Sequence, residues 1–195
     1  MVSHWREIWR EGDIPFYYVE IAPFAYSGAS GTEAALLREA QFKAQALIPN
    51  SGMVSTNDLV EPNELPQIHP KNKKDIGDRL AYQALVKTYG YKGIAAESPS
   101  YKEMTVEGNK AIVRFDHAEQ GFSPWIGIEG FEVAGANKVF YPAKAELGKK
   151  NNEIVVSSPK VKHPVAVRDC FRNFQIGNLK NHRNLPVIPF RTDNW

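Results

Sequence analysis

The residue of this sequence best suited to acid–base chemistry is His69, which stands in a polar loop just before a predicted helix. It belongs to the segment Gln67–Ile68–His69–Pro70–Lys71–Asn72. Ligands bind beyond the carboxyl ends of the strands in open α/β sheets, and a histidine in such a loop suits a general base near neutral pH. The same placement also fits a surface or helix-capping histidine, so the residues by themselves leave both interpretations open.

The other four histidines have weaker contexts. His117 follows a strand-like segment, where a β-turn is the favoured interpretation. His4, His163 and His182 have no chemical partner nearby in sequence, and we predict that all three lie at the surface.

The sequence shows none of the spacings that predict a metal, a phosphate loop or a nucleophile elbow. It has no histidine pair four residues apart, no Cys-x-x-Cys, no Gly-x-Ser-x-Gly and no Walker motif. We therefore expect neither a metal nor a cofactor. The glycine–serine segment 27–31 precedes a predicted helix and could bind an anion there, but a flexible loop is the favoured interpretation. Spacing alone pairs no nucleophile with His69.

Composition sets the class of protein. The chain has 195 residues, enough for one large domain or two small ones, and its 43% apolar and 24% charged residues indicate a soluble globular protein. The near balance of 24 basic and 22 acidic residues argues against a nucleic-acid or membrane-surface partner. No apolar run approaches the roughly 20 residues that span a bilayer. Cys170 is the single cysteine, which excludes an internal disulfide.

The elements that must position His69 alternate between strands and helices. An almost unbroken apolar run at 14–24 predicts a strand buried on both faces, as in a parallel sheet covered by helices. Gly12 is predicted to end the helix before it, and Thr32 to cap the helix after it. The predicted order is helix 1–10, strand 14–24, helix 32–48, strand 53–56 and helix 71–89, which is an α/β unit.

After Gly93 short alternating segments separated by turns predict an antiparallel β-sandwich. The predicted strands are 104–106, 111–115, 130–134, 138–142, 153–157 and 164–168. We place a domain boundary there, giving domains 1–93 and 94–195. Since a covered parallel sheet has four or more strands, we expect further strands of the first domain to precede residue 1.

Several segments along the chain resemble the sialate O-acetylesterase family of SGNH-type carbohydrate esterases. The resemblance covers nearly the whole chain, in order. Its segments are Pro15–Phe24, Leu37–Gln41, Pro49–Met53, Ile68–Lys73, Gly108, Phe115–His117, Gly130–Glu132, Val156–Pro159, Pro164–Arg168 and Pro189–Trp195.

The resemblance implies a serine esterase that removes O-acetyl groups from sugars such as sialic acid. His69 matches the family's His-Pro motif and would be the catalytic base, deprotonating a serine and later protonating the departing sugar oxygen. The family's Gly-Gln-Ser-Asn nucleophile block and its oxyanion Gly and Asn blocks are absent from these residues. Pro66 also stands where the family has the acid that orients histidine, so Glu64, Glu61, Asp58 or the backbone would have to replace that acid.

The fold implied by the resemblance is the C-terminal half of an SGNH-type α/β domain followed by a β-sandwich accessory domain. We expect the missing blocks to precede residue 1 and this chain to be inactive alone. An acetylated sugar would be the substrate, and the open sheet edge could associate with other chains. Such esterases are commonly secreted, periplasmic or lysosomal, although this sequence shows no export signal. The alternative is a non-catalytic carbohydrate-binding or structural remnant.

Overall fold

Three helices and two parallel strands make up the first part of the chain in the computed structural model, which describes residues 1–28 and 30–195. In chain order the elements are α1 (Val2–Trp9), β1 (Phe16–Val19), α2 (Glu33–Ala44), β2 (Ser51–Val54), a 3-10 turn (Pro62–Glu64), α3 (Lys73–Gln83) and a π-helical turn (Ala84–Thr88) that continues α3. Strands β1 and β2 are parallel, with Phe16 opposite Ser51 and Val19 opposite Val54. Helix α2 is the crossover between them, so the predicted α/β unit is present.

Two local details differ from the sequence prediction. Helix α1 ends at Arg10, whose φ of 56° is left-handed and whose N–H bonds the Arg6 carbonyl, so the prediction that Gly12 ends this helix is wrong. Strand β1 is half-buried rather than buried on both faces. It is accessible because it forms the edge of a two-stranded sheet within the described residues.

The N-terminus of α2 is capped by a residue from the far end of the chain. Thr32 occupies the N-cap position as predicted, but its side chain makes no capping hydrogen bond. Oδ1 of Asn173 instead accepts the N–H of Ala34 at 2.9 Å, and Nδ2 of Asn173 donates to the Tyr26 carbonyl at 3.0 Å. The Asn173 N–H also bonds the Gly31 carbonyl at 2.7 Å. One asparagine therefore joins the β-rich part of the protein to the start of α2.

Antiparallel strands make up the second part of the chain. They are β3 (Ser100–Glu107), β4 (Lys110–Asp116), β5 (Phe122–Ser123), β6 (Phe131–Ala134), β7 (Phe140–Pro142), β8 (Lys144–Leu147), β9 (Glu153–Ser157), β10 (Ala166–Asp169), β11 (Lys180–Asn181) and β12 (Phe190–Arg191). One sheet has the order β3-β4-β9-β8, a second has the order β12-β10-β6-β7, and β5 pairs with β11.

The two four-stranded sheets share one apolar core. Ala111, Val113 and Phe115 alternate along β4 with more accessible residues, as expected for a strand with one buried face. They belong to the same buried cluster as Val133 of β6 and Val167 of β10. The mixture of helices and antiparallel sheets agrees with the predicted composition of elements, while the division into domains 1–93 and 94–195 stays a prediction. Of the helices in the described ranges, none has the length and apolar content needed to cross a membrane.

The outer edge of β1 offers an unpaired strand to other chains. Phe16 and Glu20 donate their backbone N–H groups to the carbonyls of Asn50 and Val54, so alternation along the strand directs the N–H of Val19 away from β2. Within residues 1–28 and 30–195 no strand pairs with that edge. Since an open edge is a template for strand pairing, we expect the chain to form oligomers or to be poorly soluble.

Replacing Val19 by proline tests this expectation, because proline removes the outward N–H of the open edge. We expect Val19→Pro to lower the oligomeric fraction measured by size-exclusion chromatography with light scattering. Val19→Ala keeps the N–H and should associate like the wild type. A monodisperse and thermally stable wild-type monomer would contradict the prediction.

Candidate functional site

Polar side chains follow both parallel strands at the point where each strand ends. Glu20 comes directly after β1 and is 2% exposed, and Ser55 and Thr56 come directly after β2 and are fully buried. Oε1 of Glu20 accepts a hydrogen bond from the Ser55 hydroxyl and another from the Thr56 N–H, the latter at 2.8 Å. Burial raises the pKa of Glu20, although Arg38 and these hydrogen bonds partly oppose the effect. The carboxyl edge of the strand pair is therefore a closed polar cluster.

Sequence reasoning missed Glu20, although a signal was present. An acidic residue interrupts the otherwise apolar segment at 14–24, and a charge is seldom buried unless it has a partner. Arg38 of α2 faces the same cluster, and it donates Nη2 to the Arg172 carbonyl. Its Nε and Nη1 are buried without a hydrogen-bond partner among the described residues. Burial accordingly lowers the pKa of Arg38, an effect that Glu20 opposes.

A buried ion triad fixes the end of β2 against α3 and the β-rich part. Asp58 is bound by both Nη atoms of Arg79, at 2.8 and 2.7 Å, and by Nζ of Lys180 at 2.8 Å. Nη1 of Arg79 also donates to the Ser55 carbonyl at 2.8 Å. Burial by itself would raise the pKa of Asp58, but the two cations outweigh it and hold the pKa below its ordinary value. Arg79 therefore holds α3 at the carboxyl edge of the sheet.

The loop that carries His69 is closed by a buried carboxylate. Glu64 is 2% exposed, and its Oε2 accepts the Glu61 N–H at 2.8 Å while its Oε1 accepts the Lys71 N–H at 3.1 Å. These two amides stand on either side of His69 in the chain. The bonds to the Glu61 and Lys71 backbone lower the pKa of Glu64. As an ionised acceptor, Glu64 holds both ends of the loop together.

His69 lies exposed on this loop. None of the described side chains forms a hydrogen bond with its imidazole. The three carboxylates proposed to orient it have other partners: Asp58 binds Arg79 and Lys180, Glu61 forms a reciprocal capping box with Glu64, and Glu64 binds the Lys71 backbone. The structure therefore leaves His69 exposed on the loop between β2 and α3, and no described carboxylate is bonded to its imidazole.

The remaining residues considered in the sequence fall outside this cluster. His117 is exposed directly after β4, with a left-handed φ of 61° that fits the predicted turn. His4, His163 and His182 are exposed, as predicted. The segment 27–31 includes Ala29, which lies outside the described residues. Across the described ranges, no three His, Cys, Asp or Glu side chains group closely enough to hold a metal.

A second buried carboxyl group lies at the end of β10. Asp169 is 3% exposed, and the contact recorded for its side chain is with the Sγ of Cys170 at 3.5 Å. Burial raises the pKa of Asp169 to about 7 and also raises the pKa of the Cys170 thiol. Among the described residues Asp169 forms no ion pair, so no opposite charge stabilises the ionised form of this buried carboxyl group.

Several chains of known structure match this chain. One of them is the crystal structure of a novel carbohydrate acetylesterase from Xanthomonas citri, with a TM-score of 0.86 and 35% sequence identity. It covers 100% of this chain and 45% of that chain, so this chain spans less than half of that protein's length. Neither the protein-family models nor the curated proteins contain a match. The fold and 35% identity relate this chain to a carbohydrate esterase.

The ion triad predicts a large cost for one neutral substitution. Asp58→Asn removes the charge that compensates the buried Arg79, and breaking a buried pair in this way costs about 3–5 kcal/mol. We expect the Tm to fall by roughly 10 °C in thermal denaturation followed by circular dichroism. Asp78→Asn is the matched control, because Asp78 pairs with Lys74 on the exposed side of α3. That variant should change stability by less than about 0.5 kcal/mol, and equal losses in the two variants would contradict the prediction.

Asp169 predicts an unusual dependence of stability on pH. Folding raises the pKa of Asp169, so the protonated carboxyl group is favoured in the folded protein. The free energy of unfolding therefore falls as the pH rises from about 4 towards 7, because the buried group must then ionise. Asp169→Asn stays neutral, so it should raise the Tm relative to the wild type at pH 8 and raise it by much less at pH 4.5, where most of the loss has not yet occurred. The control Asp116→Asn, at the half-exposed end of β4, should change the Tm little at either pH. A Tm difference for Asp169→Asn that is the same at both pH values would refute the assignment.

Proposed function

We propose that this chain carries the base-bearing part of a carbohydrate esterase that hydrolyses O-acetyl esters on sugars. The observation that carries the proposal is the alignment of the whole chain, at 35% identity and a TM-score of 0.86, with a carbohydrate acetylesterase. Since the chain spans 45% of that protein, the enzyme's activity comes to this chain as part of the proposal.

In the proposed mechanism His69 is the general base. Its imidazole takes the proton of a serine hydroxyl as the serine attacks the acetyl carbonyl, and it returns a proton to the sugar oxygen that leaves. Water then hydrolyses the acetyl-serine by the same proton transfers and releases acetate. The exposure of His69 supports this role, because the imidazole is open to a nucleophile and a substrate.

Glu64 supports the proposal as a positioning residue. It joins the two ends of the loop through backbone amides that flank His69, so the histidine sits on a short closed segment. Catalytic groups perform best when the surrounding structure fixes their position. The buried triad at Asp58 holds the adjacent end of β2 and helix α3, between which the loop runs.

The finer assignment is an SGNH-type sialate O-acetylesterase. In it, β1 and β2 are two strands of a larger parallel sheet, residues 1–93 are the SGNH-type part, and residues 94–195 are the accessory domain. The nucleophile and the oxyanion donors would come from Gly-Gln-Ser-Asn, Gly and Asn blocks, which this sequence lacks. The alternative, a non-catalytic carbohydrate-binding or structural remnant, is favoured by the absence of a described hydrogen-bond partner at the His69 imidazole.

Activity measurements separate the two possibilities. Acyl transfer needs a nucleophile, a base and oxyanion donors together, so the 195-residue chain alone should hydrolyse p-nitrophenyl acetate no faster than a slow background. His69→Ala should leave that background unchanged. In a fusion that adds the Gly-Gln-Ser-Asn, Gly and Asn blocks ahead of residue 1, we expect turnover that His69→Ala lowers by at least about 10³-fold.

The control in the fusion is His163→Ala, because His163 is also exposed and lies outside the proposed site. Its rate should equal that of the unmodified fusion. Robust turnover by the short chain that depends on His69 would show that a nucleophile lies within these residues. A correctly folded fusion without turnover would favour the non-catalytic alternative.

A further inference from the structure

An exposed tryptophan on a fixed loop marks a second site in the β-rich part. Trp125 is 72% exposed and the neighbouring Ile126 is 86% exposed. Asn178 holds the loop on its far side, since its Nδ2 donates to the Gly127 carbonyl at 2.7 Å and its Oδ1 accepts the Glu129 N–H at 2.9 Å. The near side continues strand β5, which pairs with β11. The indole is thus presented to solvent by a braced loop.

Trp125 lines one end of a groove. A cleft of about 140 Å³ lies between Trp125 and the turn at 147–151, and it shares Gln120 and His182 with a larger cleft of about 270 Å³ that reaches Arg183. We call the two together the Trp125 groove. Neither cleft is lined by a residue of the loop 61–71, so the groove is separate from the residues around His69.

The polar side chains of the Trp125 groove are available to a ligand. In the part of the chain that the structure describes, Gln120, His182, Arg183, Lys149 and Lys150 make no side-chain hydrogen bond and no ion pair. This contrasts with the exposed lysines Lys43, Lys74 and Lys102, each of which pairs with a carboxylate. Among the described residues the cations of the groove therefore form no ion pair, although Lys150 lies close enough to Glu153 to lower the pKa of that carboxyl group.

The groove is cationic. Lys149, Lys150 and Arg183 line it with three positive charges, and Glu119 contributes one negative charge. Asn151, which also lines the groove, is held in place because its Nδ2 donates to the Glu119 carbonyl at 3.1 Å. A flat aromatic face, the Asn151 amide held in place and cations that form no ion pair among the described residues are together suited to a ring that has an apolar face, hydroxyl groups and a carboxylate.

We propose that the Trp125 groove binds an oligosaccharide that contains carboxylate-bearing pyranose units. The apolar C–H face of one unit stacks on the indole of Trp125, Lys149 and Lys150 pair with the carboxylate, and Gln120 and Asn151 bond the hydroxyls. That the ligand is a carbohydrate rests on the proposed function. That it carries a carboxylate is inferred from the cations of the groove, and both a uronate polymer and a glycan that ends in sialic acid meet this requirement.

Titration calorimetry of the 195-residue chain with three sugars that carry no O-acetyl ester tests the proposal. Hexagalacturonate and 3′-sialyllactose are the two carboxylate arms, and cellohexaose is the neutral arm. We expect at least one carboxylate sugar to bind more tightly than cellohexaose, and its affinity to fall as salt is raised from 50 to 300 mM. The arm that binds identifies the source as uronate or sialate.

Variants assign the binding to the groove. Trp125→Ala should lower the affinity at least 10-fold, and Lys149→Gln with Lys150→Gln should lower it about 10-fold and flatten its salt dependence. The matched controls are Trp9→Ala, an exposed tryptophan on α1, and Lys160→Gln with Lys162→Gln, which removes the same charge after β9. Both controls should bind like the wild type.

Three outcomes would overturn the proposal. They are no binding of either carboxylate sugar, undiminished binding by folded Trp125→Ala, and equal affinity for cellohexaose. Self-association that Trp125→Ala abolishes, without sugar binding, would assign the patch to protein contacts instead. Because none of the three sugars carries an O-acetyl ester, the binding result does not depend on esterase turnover, and a failure to bind leaves the proposed function to its own assay.

Discussion

The buried carboxylate of Asp58, shared by Arg79 and Lys180, holds the candidate site in its geometry. Removing such a charge from water costs several kcal/mol, and it is tolerated only where well-placed partners offset that cost. Arg79 offsets this cost by donating two hydrogen bonds of nearly equal length to the Asp58 carboxylate. It donates a third hydrogen bond to the Ser55 carbonyl. The Asp58 carboxylate and its two cations thereby hold the end of β2 against helix α3 and strand β11. The loop with His69 joins β2 to α3, so its anchor points follow from this triad.

The same principle explains why the α/β part is polar where a core is expected. Helix α3 buries Arg79 and Gln83 rather than an apolar stripe, and Gln83 donates to the Ala96 carbonyl at 2.7 Å. Glu20 and Arg38 are likewise buried at the sheet edge. Buried polar groups stabilise a fold through hydrogen bonds of defined geometry, and not through the apolar area that they bury, because burying a polar group without a partner is costly. The β-rich part differs, since its core consists of apolar residues from both four-stranded sheets.

Local patterns predicted much of the fold, and the limits of the prediction are physical. The apolar run at 14–24 and the helical segments after it predicted the parallel pair, and alternation predicted β4, β6 and β9 within a few residues. Strands β5, β11 and β12 have two residues each, too few to show a period of two. His69 was proposed as the candidate base from its place between a strand and a helix, and that role stays a prediction. The clamp by Glu64 and the triad at Asp58 depend on partners that no local pattern identifies.

Asn173, which caps α2, is synthesised 139 residues after Ala34, the residue whose N–H it accepts. The ribosome delivers α2, Asp58 and Arg79 early, but the amide that caps Ala34 and the second cation that pairs with Asp58 lie in residues 173–180. Contacts of such wide separation in sequence form late, because the loop between them must close first. Before those residues emerge, the Ala34 N–H lacks its cap and Asp58 has Arg79 as its one cationic partner. The cap on α2 and the ion triad are therefore completed only after residues 173–180 have left the exit tunnel.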